Sequence, residues 1–225
     1  MIRGIAFDMD GLMFDTERLA VDAWMLAAEE LGYHIPYAVV AETFGMTGDL
    51  TREVLYRHYG RDFDCEGFFK VYRKHREALL KKGIRVKPGL FRLLDYLRHN
   101  GYRYTVNTSS HEKDARRNFA MAGISDYFGE IVCGDRVARS KPAPDIYIKA
   151  CEVMQLPAGD CLALEDSPLG LQAAAAAGLK PVFIPDLAEI DDSTKRLLYA
   201  KADSLADIID LLEKERAKPS GCLSK

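Results

Sequence analysis

The chain has 225 residues, of which 48% are hydrophobic, enough to fill the core of one large domain or of a domain with a sizeable insertion. Its 31 Lys and Arg residues nearly balance 34 Asp and Glu residues, so the formal net charge of −3 indicates no nucleic-acid partner and no anionic-membrane partner. The five cysteines are widely spaced and form no CxxC pair, and the sequence shows no targeting segment or membrane-length apolar run, which together predict a reduced, cytoplasmic protein.

The chain begins with one strand, continues with helices only, and then alternates between strands and helices. Residues 2–7 form an apolar run that ends in acids, as in a buried parallel strand. Thr16 is expected to cap a helix that closes at Gly32, and helical patterns continue to about residue 83. From Pro88 onward, short apolar runs predict strands at residues 102–106, 131–133, 161–164 and 182–184, and a last helix at residues 208–215.

This order of elements predicts an α/β fold: a Rossmann-like parallel sheet core with helices on both faces, plus an inserted all-helical domain. We expect residues 1–15 and 85–225 to form the core and residues 16–84 to form the insertion. Ligands bind at the carboxyl ends of strands in such sheets. An insertion directly after the first strand is therefore well placed to cover a site there.

Four polar clusters lie at the carboxyl ends of predicted strands or at the start of the helix that follows. They contain Asp8 and Asp10; Thr108, Ser109 and Ser110; Lys141; and Glu165 and Asp166. Because these ends converge on one face of a parallel sheet, four carboxylates and one ammonium would give a local charge of −3. Carboxylates held that close raise one another's pKa or require a cation, and Mg²⁺ prefers such oxygen ligands.

Hydroxyl groups and a lysine beside a metal suit a phosphoryl group, whose oxygens need neutralising from several sides. One carboxylate can attack phosphorus to form an aspartyl-phosphate, while a second protonates the leaving oxygen and later activates water. Alternate side chains at a strand end point the same way, so Asp8 and Asp10 can face one substrate.

The motifs FDMDG, NTSS, SKPAPD and LEDSPLG, in that order, resemble those of the haloacid dehalogenase superfamily of phosphohydrolases. The similarity is to the branch with a helical cap after the first motif (subfamily I), typified by phosphoglycolate-phosphatase-like and β-phosphoglucomutase-like proteins. It implies a Mg²⁺-dependent phosphatase that hydrolyses a small phosphorylated metabolite. The resemblance implies that Asp8 is the nucleophile and a metal ligand, and that Asp10 is the general acid/base and binds the metal through its backbone carbonyl. It implies that Thr108 and the Ser109 N–H bind the phosphoryl group and that Lys141 orients the nucleophile and the phosphate. Asp166 is the implied further Mg²⁺ ligand, supported by Glu165.

The main alternative is a phosphomutase of the β-phosphoglucomutase type, which uses the same aspartyl-phosphate. Those enzymes carry a His on the first cap helix, at the position that we align with Ala20, so the mutase is disfavoured. A phosphate-binding module without turnover is a second alternative, against which the intact pair of Asp8 and Asp10 argues.

Other polar residues have ordinary explanations. We interpret Ser110 as a turn or cap residue, and residues 73–76 as a solvated basic helix face, one of whose side chains a cap helix could turn toward an anionic substrate. Specificity is expected near residues 44–49 and 12–14. The sequence indicates neither the substrate nor the oligomeric state.

Overall fold

The computed structural model describes residues 1–44, 46 and 48–217. Its strands within this part of the chain are β1 (Gly4–Phe7), β2 (Arg103–Thr108), β3 (Val132–Cys133), β4 (Cys161–Glu165), β5 (Lys180–Phe183) and β6 (Ala200–Lys201). They form one sheet in the order β3-β2-β1-β4-β5-β6, and every neighbouring pair is parallel. The predicted parallel sheet is confirmed. The two residues of β6 were not predicted because so short a segment carries no period of its own.

The strand β1 lies in the middle of the sheet, and the chain winds outward from it in both directions. Gly4 pairs with Arg103 on one side and with Cys161 on the other. The strands that follow β1 in sequence lie on one side as far as β3, and β4 opens the other side. This reversal makes the ends of β1, β2 and β4 the point of the sheet at which ligands bind in such folds.

The helices are α1 (Thr16–Leu31), α2 (Tyr37–Ala41), α3 (Gly48–Tyr59), α4 (Cys65–Leu80), α5 (Leu90–His99), α6 (Glu112–Ala122), α7 (Asp145–Met154), α8 (Pro168–Ala176), α9 (Asp192–Lys195) and α10 (Asp207–Ala217). The last helix is thus slightly longer than predicted. The prediction that Thr16 caps α1 was wrong, since Asp15 occupies the N-cap position and Thr16 begins the helix. No helix in the described part of the chain has the length and apolar character needed to cross a membrane.

Helices cover both faces of the sheet, as predicted. Ile5 and Phe7 of β1 belong to an apolar cluster with residues of α5, α6 and α10, whereas Ala6 points to the opposite face and packs with residues of α7 and α8. Successive residues of a strand point to opposite faces, so the short apolar run GIAF is buried on both sides.

The helices α1–α4, called here the inserted helices, have an apolar cluster of their own. Trp24 lies at its centre, with its ring centroid 4.9 Å from that of Phe68. The cluster joins no residue of β1–β6 and is separate from the two clusters that flank the sheet. Helix α1 begins at Thr16 and α4 ends at Leu80, within the range 16–84 that the sequence predicts for the insertion. The division of the chain into two domains stays a prediction.

Two chain segments connect the inserted helices to the core, and they lie side by side. We call residues 11–15 and 84–87 the stem. The N–H of Asp15 donates to the carbonyl of Arg85 at 2.9 Å, and the N–H of Lys87 donates to the carbonyl of Met13 at 2.9 Å. The chain therefore leaves the core and returns to it through one paired, strand-like connection.

Candidate active site

The turn after β1 brings the first acidic pair to the centre of the site. The N–H of Asp8 donates to the carbonyl of Leu164 at 3.0 Å, which ties the end of β1 to β4. Gly11 then adopts a φ of +85°, and a Cβ atom there would lie 2.1 Å from Oδ2 of Asp166. Both the left-handed backbone and the close approach require glycine at this position.

Lys141 joins two buried carboxylates, one directly after β1 and one at the end of β4. Its Nζ atom donates to Oδ1 of Asp8 at 2.5 Å and to Oε1 of Glu165 at 2.6 Å. The lysine side chain is only 4% exposed. Oε1 of Glu165 also accepts a hydrogen bond from the hydroxyl of Tyr147 at 2.5 Å, and Oε2 accepts one from Ser167 at 3.1 Å. Both oxygens of Glu165 are thus engaged by donors of the protein itself.

Asp166, unlike Glu165, has a buried carboxylate oxygen that accepts no hydrogen bond from the described residues. This oxygen is Oδ1, and the residue is 4% exposed. Carboxylate oxygens of Asp8, Glu165 and Asp166 all lie within 4.8 Å of one another. A buried carboxylate oxygen that lacks a donor is costly unless a cation compensates it. This arrangement fits a divalent cation with oxygen ligands, and it points to Asp8 and Asp166 rather than to the fully engaged Glu165.

The electrostatics of the cluster support the same interpretation. Burial, aided by the charges of Glu165 and Asp10, raises the pKa of Asp8 to about 8 although Lys141 opposes the shift. Burial also raises the pKa of Asp166, and the neighbouring charge of Asp8 adds to the effect. For Lys141, burial lowers the pKa, but the carboxylates of Asp8 and Glu165 outweigh it, and the pKa lies above its ordinary value. The ammonium stays charged, and the acids need a further positive charge to ionise together.

Asp10 lies in a separate, hydroxyl-lined position beside this cluster. Its Oδ1 atom accepts a hydrogen bond from Thr16 at 2.8 Å, and its Oδ2 atom accepts from Ser110 at 2.8 Å and from Thr108 at 3.3 Å. The N–H of Ser110 in turn donates to the Thr108 hydroxyl at 3.0 Å. Side chains at the end of β2, in the two residues after it and in the first turn of α1 therefore orient the carboxylate of Asp10.

The structure brings the residues of all four sequence motifs together. Asp8, Asp10, Thr108, Ser109, Lys141 and Asp166 line one cavity, and Glu165 lies behind Lys141. Ser109 is exposed at the cavity, and its carbonyl oxygen packs closely against Gly134, where a Cβ atom would approach it to 2.3 Å.

Sequence reasoning missed three residues of this site. Ser110 is more than a turn former, since its hydroxyl donates to Asp10. Thr16 donates to the same carboxylate and does not occupy the cap position, and Tyr147 belongs to none of the four motifs. For Ser110 the signal was present, because it directly follows Thr108 and Ser109 in the NTSS motif. Nothing local in the sequence reveals the contact between Tyr147 and Glu165.

The cavity has a volume of about 630 Å³ and lies between the strand ends and the inserted helices. The inserted helices and the connection between α2 and α3 contribute aromatic, apolar and cationic side chains, among them Trp24, Phe44, Met46, Arg52, Tyr72, Arg73 and Arg76. The expectation for residues 44–49 thus agrees with the cavity wall at Phe44, Met46, Gly48 and Asp49, while Gly45 and Thr47 lie outside the described residues. Residues 12–14 are instead buried in the core cluster.

The basic stretch of α4 divides into two pairs. Lys74 and His75 both contact Glu30, at 2.9 Å and 2.7 Å. Arg73 and Arg76 instead line the cavity. The two arginines therefore offer positive charge to whatever occupies the cavity.

Comparison with known proteins identifies the family. The family model described as haloacid dehalogenase-like hydrolase matches residues 5–184. A Drosophila melanogaster protein named "Probable pseudouridine-5'-phosphatase" is 32% identical over 207 residues, which cover 89% of each chain. The phosphorylated carbohydrates phosphatase of Thermotoga maritima is 24% identical over 182 residues, which cover 81% of this chain and 84% of that protein.

A solved structure shows the same architecture. The crystal structure of CbbY from Rhodobacter sphaeroides in complex with phosphate is 27% identical, with a TM-score of 0.77, and the match covers 92% of this chain and 96% of that one. The family match includes every residue of the site. The chain belongs to the haloacid dehalogenase-like hydrolases, and curated relatives of it are named as phosphatases.

Proposed function

We propose that the protein is a Mg²⁺-dependent phosphatase that hydrolyses a small phosphorylated metabolite through an aspartyl-phosphate on Asp8. The observation that carries the proposal is the contact of 2.5 Å between Lys141 and Oδ1 of Asp8. It fixes one carboxylate oxygen and leaves Oδ2 as the oxygen that attacks phosphorus. A carboxylate held in this way is an oriented nucleophile rather than a solvated surface acid.

In the first step Oδ2 of Asp8 forms a bond to phosphorus, and the bond from phosphorus to the leaving oxygen breaks. Asp10 gives its proton to that oxygen, so the product leaves as a neutral alcohol. In the second step the Asp10 carboxylate takes a proton from water, whose oxygen attacks phosphorus. Inorganic phosphate is released, and the carboxylate of Asp8 is restored. The Thr108 hydroxyl, the Ser109 N–H and the Lys141 ammonium bind the phosphoryl oxygens in both steps.

Asp8, Asp166 and the backbone carbonyl of Asp10 are the groups that we propose hold Mg²⁺. When bound, the ion supplies positive charge that neutralises phosphoryl oxygens and the carboxylates themselves. We assign Glu165 a supporting role, because its contact of 2.6 Å with Lys141 keeps the ammonium beside Asp8.

A sugar phosphomutase is the alternative that the resemblance leaves open. Ala20, where the resemblance implies a mutase His, lines the cavity with a methyl group and can exchange no proton. This position favours the phosphatase. A cytoplasmic location remains part of the proposal, and the described cysteines Cys65, Cys133, Cys151 and Cys161 are free thiols.

The direct test is turnover of p-nitrophenyl phosphate in Mg²⁺ by the wild type and by Asp8→Asn and Asp10→Asn. We expect each substitution to lower kcat by at least about a thousandfold, Asp8→Asn because the nucleophile is lost and Asp10→Asn because water is no longer activated in the second step. The matched control is Asp160→Asn, which removes a surface carboxylate paired with Arg3. Undiminished turnover in either active-site variant contradicts the mechanism.

A screen of phosphorylated sugars, nucleotides and short acids then identifies substrates, and isomerisation of β-glucose 1-phosphate without phosphate release would assign the mutase instead.

A further inference from the structure

A buried carboxylate outside the active site binds both ends of the inserted helices to the core. Asp186 follows β5, and its side chain is 3% exposed. Its Oδ1 atom accepts a hydrogen bond from Arg18 at 2.6 Å and another from Lys87 at 2.6 Å. Arg18 lies in the first turn of α1, and Lys87 lies in the returning segment of the stem. One oxygen of the core thus holds the chain where it enters the inserted helices and where it leaves them.

Asp15 completes a compact arrangement of two acids and two bases. Its Oδ1 atom lies 2.7 Å from Arg18 and 3.4 Å from Lys87. Charges paired in this way are screened less than an exposed ion pair, because Asp186 is almost fully removed from solvent. Removal of Asp186 leaves two cations sharing the single remaining carboxylate of Asp15. The like charges then repel each other across the stem.

The same core loop also contacts the inserted helices through apolar side chains. Leu187 and Ala188, the two residues after Asp186, pack against the cluster that contains Trp24. The loop therefore makes an ionic contact with the stem and an apolar contact with the inserted helices. Neither contact involves Asp8 directly, but the charge of Asp186 adds to the burial that raises the pKa of Asp166.

The path from this loop to the active site is short. Arg18 is held by Asp186, and Thr16, two residues earlier in the same helical turn, donates at 2.8 Å to Oδ1 of Asp10. A rotation of this turn moves the Thr16 hydroxyl and with it the carboxylate of Asp10. Asp8 and Asp166 directly follow β1 and β4, and the pairing of these two strands holds both residues.

We propose that Asp186 is a positioning residue, which together with Leu187 fixes the first turn of α1 and thereby aims Asp10 at the leaving oxygen. This inference rests on the proposed function of Asp10 as general acid. The proposal predicts that loss of Asp186 impairs proton transfer to the leaving group and leaves the positions of the nucleophile and the metal ligands unchanged. General destabilisation of the fold would not affect proton transfer selectively.

Two substrates with different leaving groups test the proposal. p-Nitrophenolate is stable as an anion and leaves without a proton, whereas the leaving oxygen of an alkyl phosphate must be protonated. We expect Asp186→Asn to lower kcat/KM for an alkyl phosphate by about tenfold and for p-nitrophenyl phosphate by less than about twofold. Leu187→Ala changes the same ratio in the same direction. The control Asp160→Asn leaves the ratio unchanged, and Leu187→Ala, which removes no charge near Asp166, leaves the Mg²⁺ concentration for half-maximal activity unchanged.

A second measurement does not depend on catalysis. Trp24 is the single tryptophan of the chain and lies in the cluster that Leu187 contacts, so its fluorescence reports on this packing. We expect altered emission in Asp186→Asn and faster amide hydrogen exchange at residues 11–18, with neither change in Asp160→Asn. An unchanged ratio of the two kcat/KM values overturns the role in aiming Asp10, and unchanged emission and exchange overturn the structural link. If the wild type hydrolyses no phosphate ester, the fluorescence and exchange results still decide whether Asp186 fixes the turn.

Discussion

The hydroxyl of Thr16 donates to Oδ1 of Asp10 at 2.8 Å and accepts the N–H of Gly11 at 3.3 Å. The first residue of the inserted helices is thereby bonded to the proposed general acid and to the turn that follows β1. Closure of the site by these helices and orientation of the acid are consequently parts of one structural unit.

Replacement of Thr16 by Val removes this hydroxyl and keeps the shape of the side chain. Because Thr16 is buried, we expect a loss of about 1 kcal/mol in the free energy of unfolding. We expect kcat to fall by about tenfold, since the carboxylate of Asp10 loses one of its donors, and KM to change by less than about twofold. Steady-state kinetics and thermal unfolding measure both effects. Thr16→Ser restores the hydroxyl, and a serine variant as slow as the valine variant would contradict the assignment.

Replacement of Tyr147 by Phe tests the support of Lys141. The Tyr147 hydroxyl is buried and donates to Glu165, which itself holds Lys141. Its removal leaves Oε1 of Glu165 with one donor fewer, and we expect the free energy of unfolding to fall by about 1–3 kcal/mol. The control is Tyr96→Phe, since Tyr96 donates to Glu213 at the surface. Equal unfolding midpoints for the two variants would show that the buried contact contributes nothing.

The pKa of Asp8, raised to about 8, makes metal binding dependent on pH. Below pH 8 the carboxyl is mostly protonated and must release its proton to bind a cation. The apparent Kd for Mg²⁺ therefore rises by about tenfold for each pH unit below this value. Titration calorimetry at pH 6, 7 and 8, in buffers of different ionisation enthalpy, measures the affinity and the proton release. Binding without proton release at pH 6 would contradict the raised pKa.

The same shift has a defined effect on the stability of the metal-free protein. Because the pKa of Asp8 is higher in the folded chain than its ordinary value of 3.8, the folded state binds more protons than the unfolded state between these two values. The contribution of Asp8 to stability is then present at low pH and is lost as the pH rises toward 8. Thermal unfolding at several pH values in the presence of a chelator measures this decrease in stability with pH. Added Mg²⁺ makes the decrease smaller, because the bound ion stabilises the ionised form of Asp8.

Arg73 and Arg76 line the cavity, where their guanidinium groups can contact a substrate. We expect Arg76→Met to raise KM by about tenfold for phosphate esters that carry a second anionic group, because a charged contact is lost. KM for p-nitrophenyl phosphate changes by less than about twofold. Lys74→Met is the control, since Lys74 contacts Glu30. Equal effects of Arg76→Met on both substrates would exclude selective anion recognition.

Much of the site follows from the sequence because its residues occupy the ends of strands. The runs that end before Asp8 and Glu165 are apolar and short, and their burial makes the polar residues after them conspicuous. The parallel topology then requires these ends to meet. Neither inference needs any knowledge of individual side-chain contacts.

Contacts between distant segments could not be predicted in this way. Arg18 and Asp186 are separated by 168 residues, and neither belongs to a recognisable motif. The same holds for Tyr147, whose apolar helix face predicts burial but not a hydroxyl partner. Such pairs depend on how helices are set against the sheet, and local sequence patterns carry no information on that relation.

The paired stem has a consequence for how this architecture can change. The carbonyl of Arg85 accepts the N–H of Asp15 at 2.9 Å, so the inserted helices begin and end at the same place on the core. A segment whose ends meet can be shortened, enlarged or exchanged without moving the strands that flank it. The sheet can therefore keep one reaction while successive insertions on the same stem select different molecules for it.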